Sequence, residues 1–216
     1  MLGLTLLLSA CGTPDVGPRI TRTPTSAPGT GGPPTATGPT SATPGAVDLG
    51  PAPEDLREVN WRDVRVPGTF CDIPGLITFH DGRATATSRT WGRVDLSREP
   101  EPTYGDIGGD RRPEAALGVE CNNGGGTAAG QLAFGSVIYA SDKGRLTVLR
   151  SITPQQQPPG QPPTLLAELR MERGRIEVEE RWYRPRDATC CPTGTAVTVW
   201  VLDDGRLTPR PPRITS

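Results

Sequence analysis

Apolar and polar positions alternate along most of the chain after residue 60, in short segments that are separated by turns. Alternation with a period of two is typical of half-buried β-strands. The pattern predicts strands at residues 61–66, 76–79, 83–87, 91–96, 115–121, 131–140, 145–152, 165–171, 175–182, 196–202 and 206–208. Before them, residues 51–59 predict one short helix with Glu54 and Asp55 in its first turn.

A recurring turn signature joins these strands. A polar or charged residue, a glycine and an arginine follow one another at Gly82, Gly144, Gly174 and Gly205. Glycine in this place supplies the positive φ that a tight hairpin requires. The fold class that we predict is therefore mostly β, as an antiparallel sheet that is curled or folded into a barrel or a sandwich. Residues 154–163 are rich in Pro and Gln and predict a long solvated loop inside one hairpin.

The first fifty residues differ in composition from the rest. Residues 12–50 consist largely of Thr, Pro, Ser, Gly and Ala, with few charges and little to bury. Such a segment cannot compensate the entropy lost on folding, so we predict a disordered stalk. The predicted organisation is a signal peptide at residues 1–10, a stalk at 11–50 and a single β domain at 51–216.

Charge and hydropathy restrict the partners. The formal net charge is −1 and Lys143 is the only lysine, so no basic surface for nucleic acid is indicated. No apolar run is long enough for a membrane-spanning helix. The short apolar run 2–8 is instead followed by Ser9, Ala10 and Cys11.

This N-terminal pattern resembles a bacterial lipoprotein signal. The resemblance implies that Cys11 is lipidated and becomes the first residue of the mature chain, which would place the protein at the outer face of the cell membrane. No Lys or Arg precedes the apolar run, and signal peptides carry a positive N-terminal region. A translation start upstream of Met1 therefore stays open.

The remaining cysteines are Cys71, Cys121, Cys190 and Cys191. An even number in an exported protein predicts two disulfides. A bond between Cys190 and Cys191 would close a strained ring across one peptide and is the least favoured pairing. Because neighbours in an extended chain point to opposite sides, we expect these two cysteines to bind Cys71 and Cys121 separately. A zinc site or a nucleophilic cysteine is less favoured, since C-x-x-C is missing and His80 is the only histidine.

One loop has candidate chemistry. Asp106, Asp110 and Glu114 occupy the first, fifth and ninth places of a segment that resembles the D-x-D-G-D-G-x-x-E calcium loops of exported bacterial proteins. Gly108 stands where a ligand is expected, and Arg111 replaces the glycine at the turn. We favour a tight turn in which an arginine pairs with Asp106 or Glu114. The alternatives are a weak calcium site, or a hydrolase that uses the same three carboxylates.

Taken together, the lipoprotein signal, the stalk, the loop that leads into Cys121 and the Cys190-Cys191-Pro192 turn resemble small actinobacterial cell-surface lipoproteins. The resemblance implies an exported, lipid-anchored and disulfide-bonded domain and transfers no catalytic residues. We expect a non-enzymatic binding or structural role in the envelope, with an envelope protein or a glycan as partner. No cofactor is expected apart from the calcium alternative.

Overall fold

The computed structural model describes residues 47–125 and 130–216. These residues form a mostly β, antiparallel structure, which confirms the predicted fold class. The fourteen strands are Val47–Pro51 (β1), Arg65–Pro67 (β2), Leu76–Thr78 (β3), Arg83–Ser88 (β4), Gly92–Arg98 (β5), Thr103–Gly105 (β6), Glu114–Asn122 (β7), Gln131–Asp142 (β8), Arg145–Ile152 (β9), Leu165–Glu172 (β10), Arg175–Trp182 (β11), Gly194–Asp203 (β12), Arg206–Pro209 (β13) and Arg213–Ile214 (β14).

Two larger sheets and one small sheet contain these strands. The first sheet has the order β1-β9-β8-β7-β5-β4, and β6 also pairs with β7. The second sheet has the order β10-β11-β12-β13, with β14 paired to β12, and β2 pairs with β3 separately. These strands all pair antiparallel to one another. The chain thus finishes the first sheet with β9 before it begins the second with β10.

Strand β7 is buried on both faces, because the first sheet lies between two apolar cores. Leu117 and Val119 face the first core, which the segment before β4 covers with Trp61, Phe70 and Phe79. The alternate residues of β7, such as Ala116, point to the other face of the sheet and contact the second core, which lies against the second sheet. The second core contains Ile107, Ala116, Ile138, Ile152, Ile176, Val178, Trp200 and Leu207.

The predicted glycine turns are confirmed. Gly82, Gly144, Gly174 and Gly205 all have φ between +73° and +78°. At three of these turns the preceding residue, Asp81, Lys143 or Asp204, also has positive φ. Two consecutive positive φ values are what a two-residue hairpin turn needs to match the twist of its strands.

The N-terminal part of the domain differs from the prediction. Residues 61–66 do not form one strand, because Trp61–Asp63 is a 3₁₀ turn and β2 begins only at Arg65. The Asn60 side chain accepts the Arg62 N–H at 3.2 Å, and this cap starts the turn. The predicted helix at 51–59 is reduced to the 3₁₀ turn Leu56–Glu58, which Asp55 caps.

Three short strands were not predicted. Strand β1 lies partly in the segment assigned to the stalk, so the folded domain includes Val47 to Gly50. Strands β6 and β14 are three and two residues long, too short for a period of two to be visible.

The disulfide pairing corrects the prediction. Cys71 is bonded to Cys121, with a Cα–Cα distance of 6.2 Å, and Cys190 is bonded to Cys191. Cys190 and Cys191 lie in a turn between β11 and β12 and not in an extended strand. The rule that neighbouring side chains point to opposite sides therefore does not apply to them.

Several predictions lie outside the described residues. These are the signal peptide at 1–10, the lipidation of Cys11 and the stalk up to residue 46. Within the described part of the chain, no helix has the length and apolar character needed to cross a membrane.

Candidate functional site

A cleft of about 420 Å³ opens where the second core ends. Along β7 and β8, the side chains that face the second sheet change in three steps. Ala116 pairs with Ile138, then Gly118 with Ser136, and then Glu120 with Phe134. The first pair is apolar and fills the space between the sheets. The small Gly118–Ser136 pair leaves room, and the cleft begins there.

The opposite wall comes from β10. A bulge at Ala167 shifts the register between Leu166 and Glu168. Leu166 therefore pairs with the inward-facing Glu180, and Leu169 pairs with Val178, which also faces inward. Both leucines line the cleft and pack against the second core although they are three residues apart. Bulges often redirect side chains beside functional sites.

Three glutamates line this cleft, and one of them, Glu168, is paired with Arg170 at 2.9 Å. The other two are Glu99 and Glu120. Glu99 follows β5, and its backbone N–H donates to the Gly118 carbonyl at 2.9 Å. A β-carbon on Gly118 would overlap the Glu99 carboxyl group, so the missing side chain provides the place where that carboxyl lies. Glu120 extends from β7 on the same face, and its Oε1 accepts the Ser97 hydroxyl at 2.6 Å.

The surroundings of the cleft disfavour the ionised form of the Glu99 carboxyl group. The pKa of the Glu99 carboxyl is raised, first because the surrounding protein partly desolvates it and second because the negative charge of Glu120 repels its ionised form. Neither carboxylate has a salt bridge to a residue of the described part of the chain.

Arg98, the last residue of β5, also lines the cleft, but it forms no salt bridge with Glu99 or Glu120. Arg98 donates from Nη1 to the backbone carbonyls of Glu99 and Pro100, at 2.6 and 2.5 Å. Its side chain also lies beside Gly82, the residue immediately before β4. The cleft therefore combines an apolar wall with two carboxylates that form no salt bridge among the described residues, an arrangement suited to an organic cation.

The loop from Asp106 to Glu114, which the sequence indicated as a candidate calcium site, forms hydrogen bonds within its own backbone. Asp106 accepts hydrogen bonds from the backbone N–H groups of Gly109, Asp110 and Arg111, at 2.5, 3.2 and 2.9 Å. Glu114 is buried and accepts from the N–H groups of Ile107 and Gly108, at 2.8 and 3.3 Å. The tight turn is present, but the predicted arginine pairing of Asp106 and Glu114 is not: backbone amides bind both carboxylates instead.

The third carboxylate of the loop pairs with its neighbour. Asp110 binds the Arg112 guanidinium at 2.7 Å and accepts the Arg112 N–H at 2.9 Å. Arg111 has φ +69°, the unfavourable backbone conformation expected where a glycine is replaced. Among the described residues, no group of three or more His, Cys, Asp or Glu side chains could hold a metal ion. The calcium site stays a prediction without support from this geometry.

The loop serves instead as a joint between the two sheets. Ile107 is buried in the second core, and its carbonyl accepts the Gly174 N–H from the β10–β11 turn at 2.9 Å. Gly105 and Gly109 lie so close to Met171 and Arg173 that a β-carbon on either would collide. The hydrolase hypothesis uses Asp106, Asp110 and Glu114, but backbone N–H groups bind Asp106 and Glu114, and Asp110 pairs with Arg112.

The proline-rich loop is anchored rather than freely solvated. Glu180 is fully buried, and its Oε2 accepts the backbone N–H groups of Gln155 and Gln156 at 2.9 and 2.8 Å. Thr164, also fully buried, donates its hydroxyl to the Gln156 carbonyl. Residues 154–163 contain no strand, as predicted, and both ends of the loop are fixed to the protein.

Glu99 and Glu120 were not identified from the sequence. A usable signal was present for Glu120, since it is a charged residue inside the otherwise apolar strand segment 115–121. Glu99 lies beyond a predicted strand end and had no such signal. Comparison with protein-family models, curated proteins and solved structures finds no match for this chain.

Proposed function

We propose that the β domain is a non-enzymatic binding module whose ligand carries a protonated amine or a guanidinium group beside an apolar moiety. The observation that supports this is the pair Glu99 and Glu120, which face a cleft with an apolar wall and form no salt bridge within residues 47–125 and 130–216. A ligand cation would offset the repulsion between the two carboxylates and the desolvation of Glu99. The apolar part of the ligand would contact Phe134, Leu166 and Leu169.

The proposed location is the outer face of the cell membrane, where lipid on Cys11 would hold the domain. Support comes from the apolar run, the small residues and the cysteine that follows them. An envelope protein that presents a lysine or arginine side chain has the required chemistry. Cys11→Ala should release the protein from the membrane fraction, and unchanged membrane association would refute the anchor.

The ligand class can be tested with benzylamine, titrated while NMR or calorimetry reports binding. We expect a dissociation constant on the order of 1 mM, typical of a small fragment, and much weaker binding of the neutral benzyl alcohol. Combining Glu99→Gln with Glu120→Gln should abolish amine binding. Glu177→Gln is the matched control, because Glu177 belongs to the second sheet and does not line the cleft. Equal binding of the amine and the alcohol would overturn the proposal.

The partner can be captured on intact cells with a carbodiimide, which joins carboxylates directly to amines. Cross-links from Glu99 or Glu120 to one enriched envelope protein would support the proposal and name the partner. Cross-links that arise only from carboxylates outside the cleft, such as Glu177 and Glu179, would contradict it.

A further inference from the structure

The connection between β11 and β12 holds an exposed pair of bonded cysteines. Cys190 and Cys191 are both exposed and are joined to each other. By contrast, Cys71 and Cys121 are fully buried in the first core. Thiol–disulfide exchange needs direct attack of a thiolate on a sulfur atom, so its rate depends on access. A thiolate in solution can therefore reach the Cys190–Cys191 bond but not the Cys71–Cys121 bond of the folded domain.

The connection keeps its shape through groups other than the cysteines. One Asp187 carboxylate oxygen accepts the backbone N–H groups of Arg184 and Thr193, both at 2.8 Å, and so ties the two ends of the segment together. The Tyr183 hydroxyl, on a buried ring, donates to the Thr189 carbonyl at 2.9 Å. The backbone of Cys191 donates to the Ala188 carbonyl at 2.9 Å. These contacts do not require the Cys190–Cys191 bond.

The two disulfides also differ in what they constrain. A disulfide restricts the unfolded chain more strongly as the enclosed segment lengthens. Cys71 and Cys121 are 50 residues apart, whereas Cys190 and Cys191 are adjacent and enclose no segment. Reduction of the Cys190–Cys191 bond therefore leaves the global stability almost unchanged. A bond that adds little stability and lies exposed on a fixed turn can be reduced by thiol–disulfide exchange without unfolding the domain.

We propose that Cys190–Cys191 is a thiol–disulfide exchange site that is reduced by a dithiol while Cys71–Cys121 stays oxidised. A thiolate of the reductant attacks one Sγ atom, the Cys190–Cys191 bond breaks and a mixed disulfide forms. The second thiol of the reductant then loses its proton and attacks the reductant's first sulfur atom, the one held in the mixed disulfide. The cysteine of this chain leaves as a thiolate and is protonated. The products are two thiols on this chain and one disulfide on the reductant, after transfer of two electrons and two protons.

The charge of the connection favours this attack. Arg184 and Arg186 flank the turn in sequence, with Asp187 the only acidic residue between Tyr183 and Gly194. The segment therefore has a net positive charge, which attracts the anionic thiolate of the reductant.

The test treats the oxidised full-length protein with dithiothreitol under native conditions and samples it over time. Free thiols are trapped with iodoacetamide, and peptide mapping by mass spectrometry reports each cysteine peptide separately. We expect Cys190 and Cys191 to be alkylated at least ~100-fold faster than Cys71 and Cys121, because the buried pair reacts only through opening of the domain. The difference should disappear in guanidinium chloride. Equal rates in the native protein, or no alkylation at Cys190 and Cys191, would overturn the proposal.

Two variants separate chemistry from folding. Replacing both residues, as Cys190→Ser with Cys191→Ser, should remove the fast phase and leave the melting temperature unchanged. Cys190→Ser alone should convert Cys191 into a thiol that forms a stable mixed disulfide with glutathione, since the resolving partner is missing. A large fall in melting temperature in the double variant would show that the bond is structural and would contradict the proposal.

Discussion

The carboxyl group of Glu99 occupies the space beside Gly118 that a β-carbon would fill. The absence of one side chain on β7 thus positions an acid that follows β5, and Glu120 on the same face completes the pair. Gly118 has no positive φ, so the backbone itself accepts other residues at this position.

Gly118→Ala should therefore displace the Glu99 side chain without unfolding the domain. Glu99 is exposed at the rim of the cleft and can move away, so the free energy of unfolding should change by less than about 1 kcal/mol. Binding of benzylamine should weaken at least as much as in Glu99→Gln. The comparison of urea unfolding with ligand titration checks both parts. A stable variant with undiminished amine binding would show that Glu99 does not position the ligand.

Glu180 is expected to be the most sensitive polar residue of the second core. Its carboxylate binds two backbone N–H groups and the Thr198 hydroxyl, which donates to Oε1 at 2.6 Å. Glu180→Ala leaves these buried donors unpaired and should cost about 3–5 kcal/mol. Glu180→Gln can still accept from Gln155 and Gln156, so it should cost only about 1–2 kcal/mol.

Urea unfolding measures these differences, and hydrogen exchange of the Gln155 and Gln156 amides reports the loop directly. Glu179→Gln is the control, since Glu179 forms a partly exposed ion pair with Arg181 on the opposite face of β11. If Glu179→Gln and Glu180→Ala destabilise equally, the anchoring role of Glu180 is wrong.

Glu114 should make the domain less stable as the pH rises. Burial raises the pKa of its carboxyl group above the ordinary value of 4.5, more than the hydrogen bonds from Ile107 and Gly108 lower it. The folded protein then holds this proton more tightly than the unfolded chain, so stability falls as the pH rises from about 4.5 through the folded pKa. Glu114→Gln should flatten the stability profile over this range.

Asp110 in the same loop is the matched control. The Arg112 N–H and guanidinium lower the pKa of the Asp110 carboxyl below 3.8, so its contribution is present at higher pH and is lost in acid. Asp110→Asn should therefore lower stability by a constant amount above about pH 4 and change the slope of the profile only below that pH. Denaturant unfolding at a series of pH values distinguishes the two variants, and a steeper profile in Glu114→Gln would contradict the assignment.

Asp106 should stabilise the joint without any metal. Removing its carboxylate in Asp106→Ala leaves three backbone N–H groups of the loop without their acceptor and should cost about 1–3 kcal/mol. We expect the same loss with calcium and with a chelator. A calcium-dependent rise in the melting temperature of the unaltered protein, abolished by Asp110→Ala, would instead establish the calcium site.

The Cys71–Cys121 bond should contribute most of the disulfide stabilisation. Closure of a 50-residue segment is worth about 4 kcal/mol in the chain-entropy model. Cys71→Ala with Cys121→Ala should therefore unfold at much lower urea concentration, whereas the same change at Cys190 and Cys191 should have almost no effect. Mass mapping under non-reducing conditions checks the pairing, and any peptide that joins Cys71 or Cys121 to Cys190 or Cys191 would refute it.

The sequence predicted most strands because their signal is local. The alternation between Arg175 and Trp182, and the turn at Gly174, depend only on neighbours in the chain. Trp61 was misassigned because three alternating pairs are a weak signal against the cap formed by Asn60. The bulge at Ala167 was missed because a register shift is defined by the partner strand β11 and leaves no local mark.

The sequence by itself determined the antiparallel β class, the glycine turns and the presence of a compact carboxylate loop, since all three follow from short-range sterics and hydrogen bonding. Only the tertiary structure decided which carboxylates face a cleft, which accept hydrogen bonds from backbone N–H groups, and how the cysteines pair. Glu99 follows β5, Glu120 lies on the paired strand β7, and Leu166 of the second sheet lines the same cleft. Such contacts join residues far apart in the chain, and their energies depend on the burial and charge around each group in the folded domain.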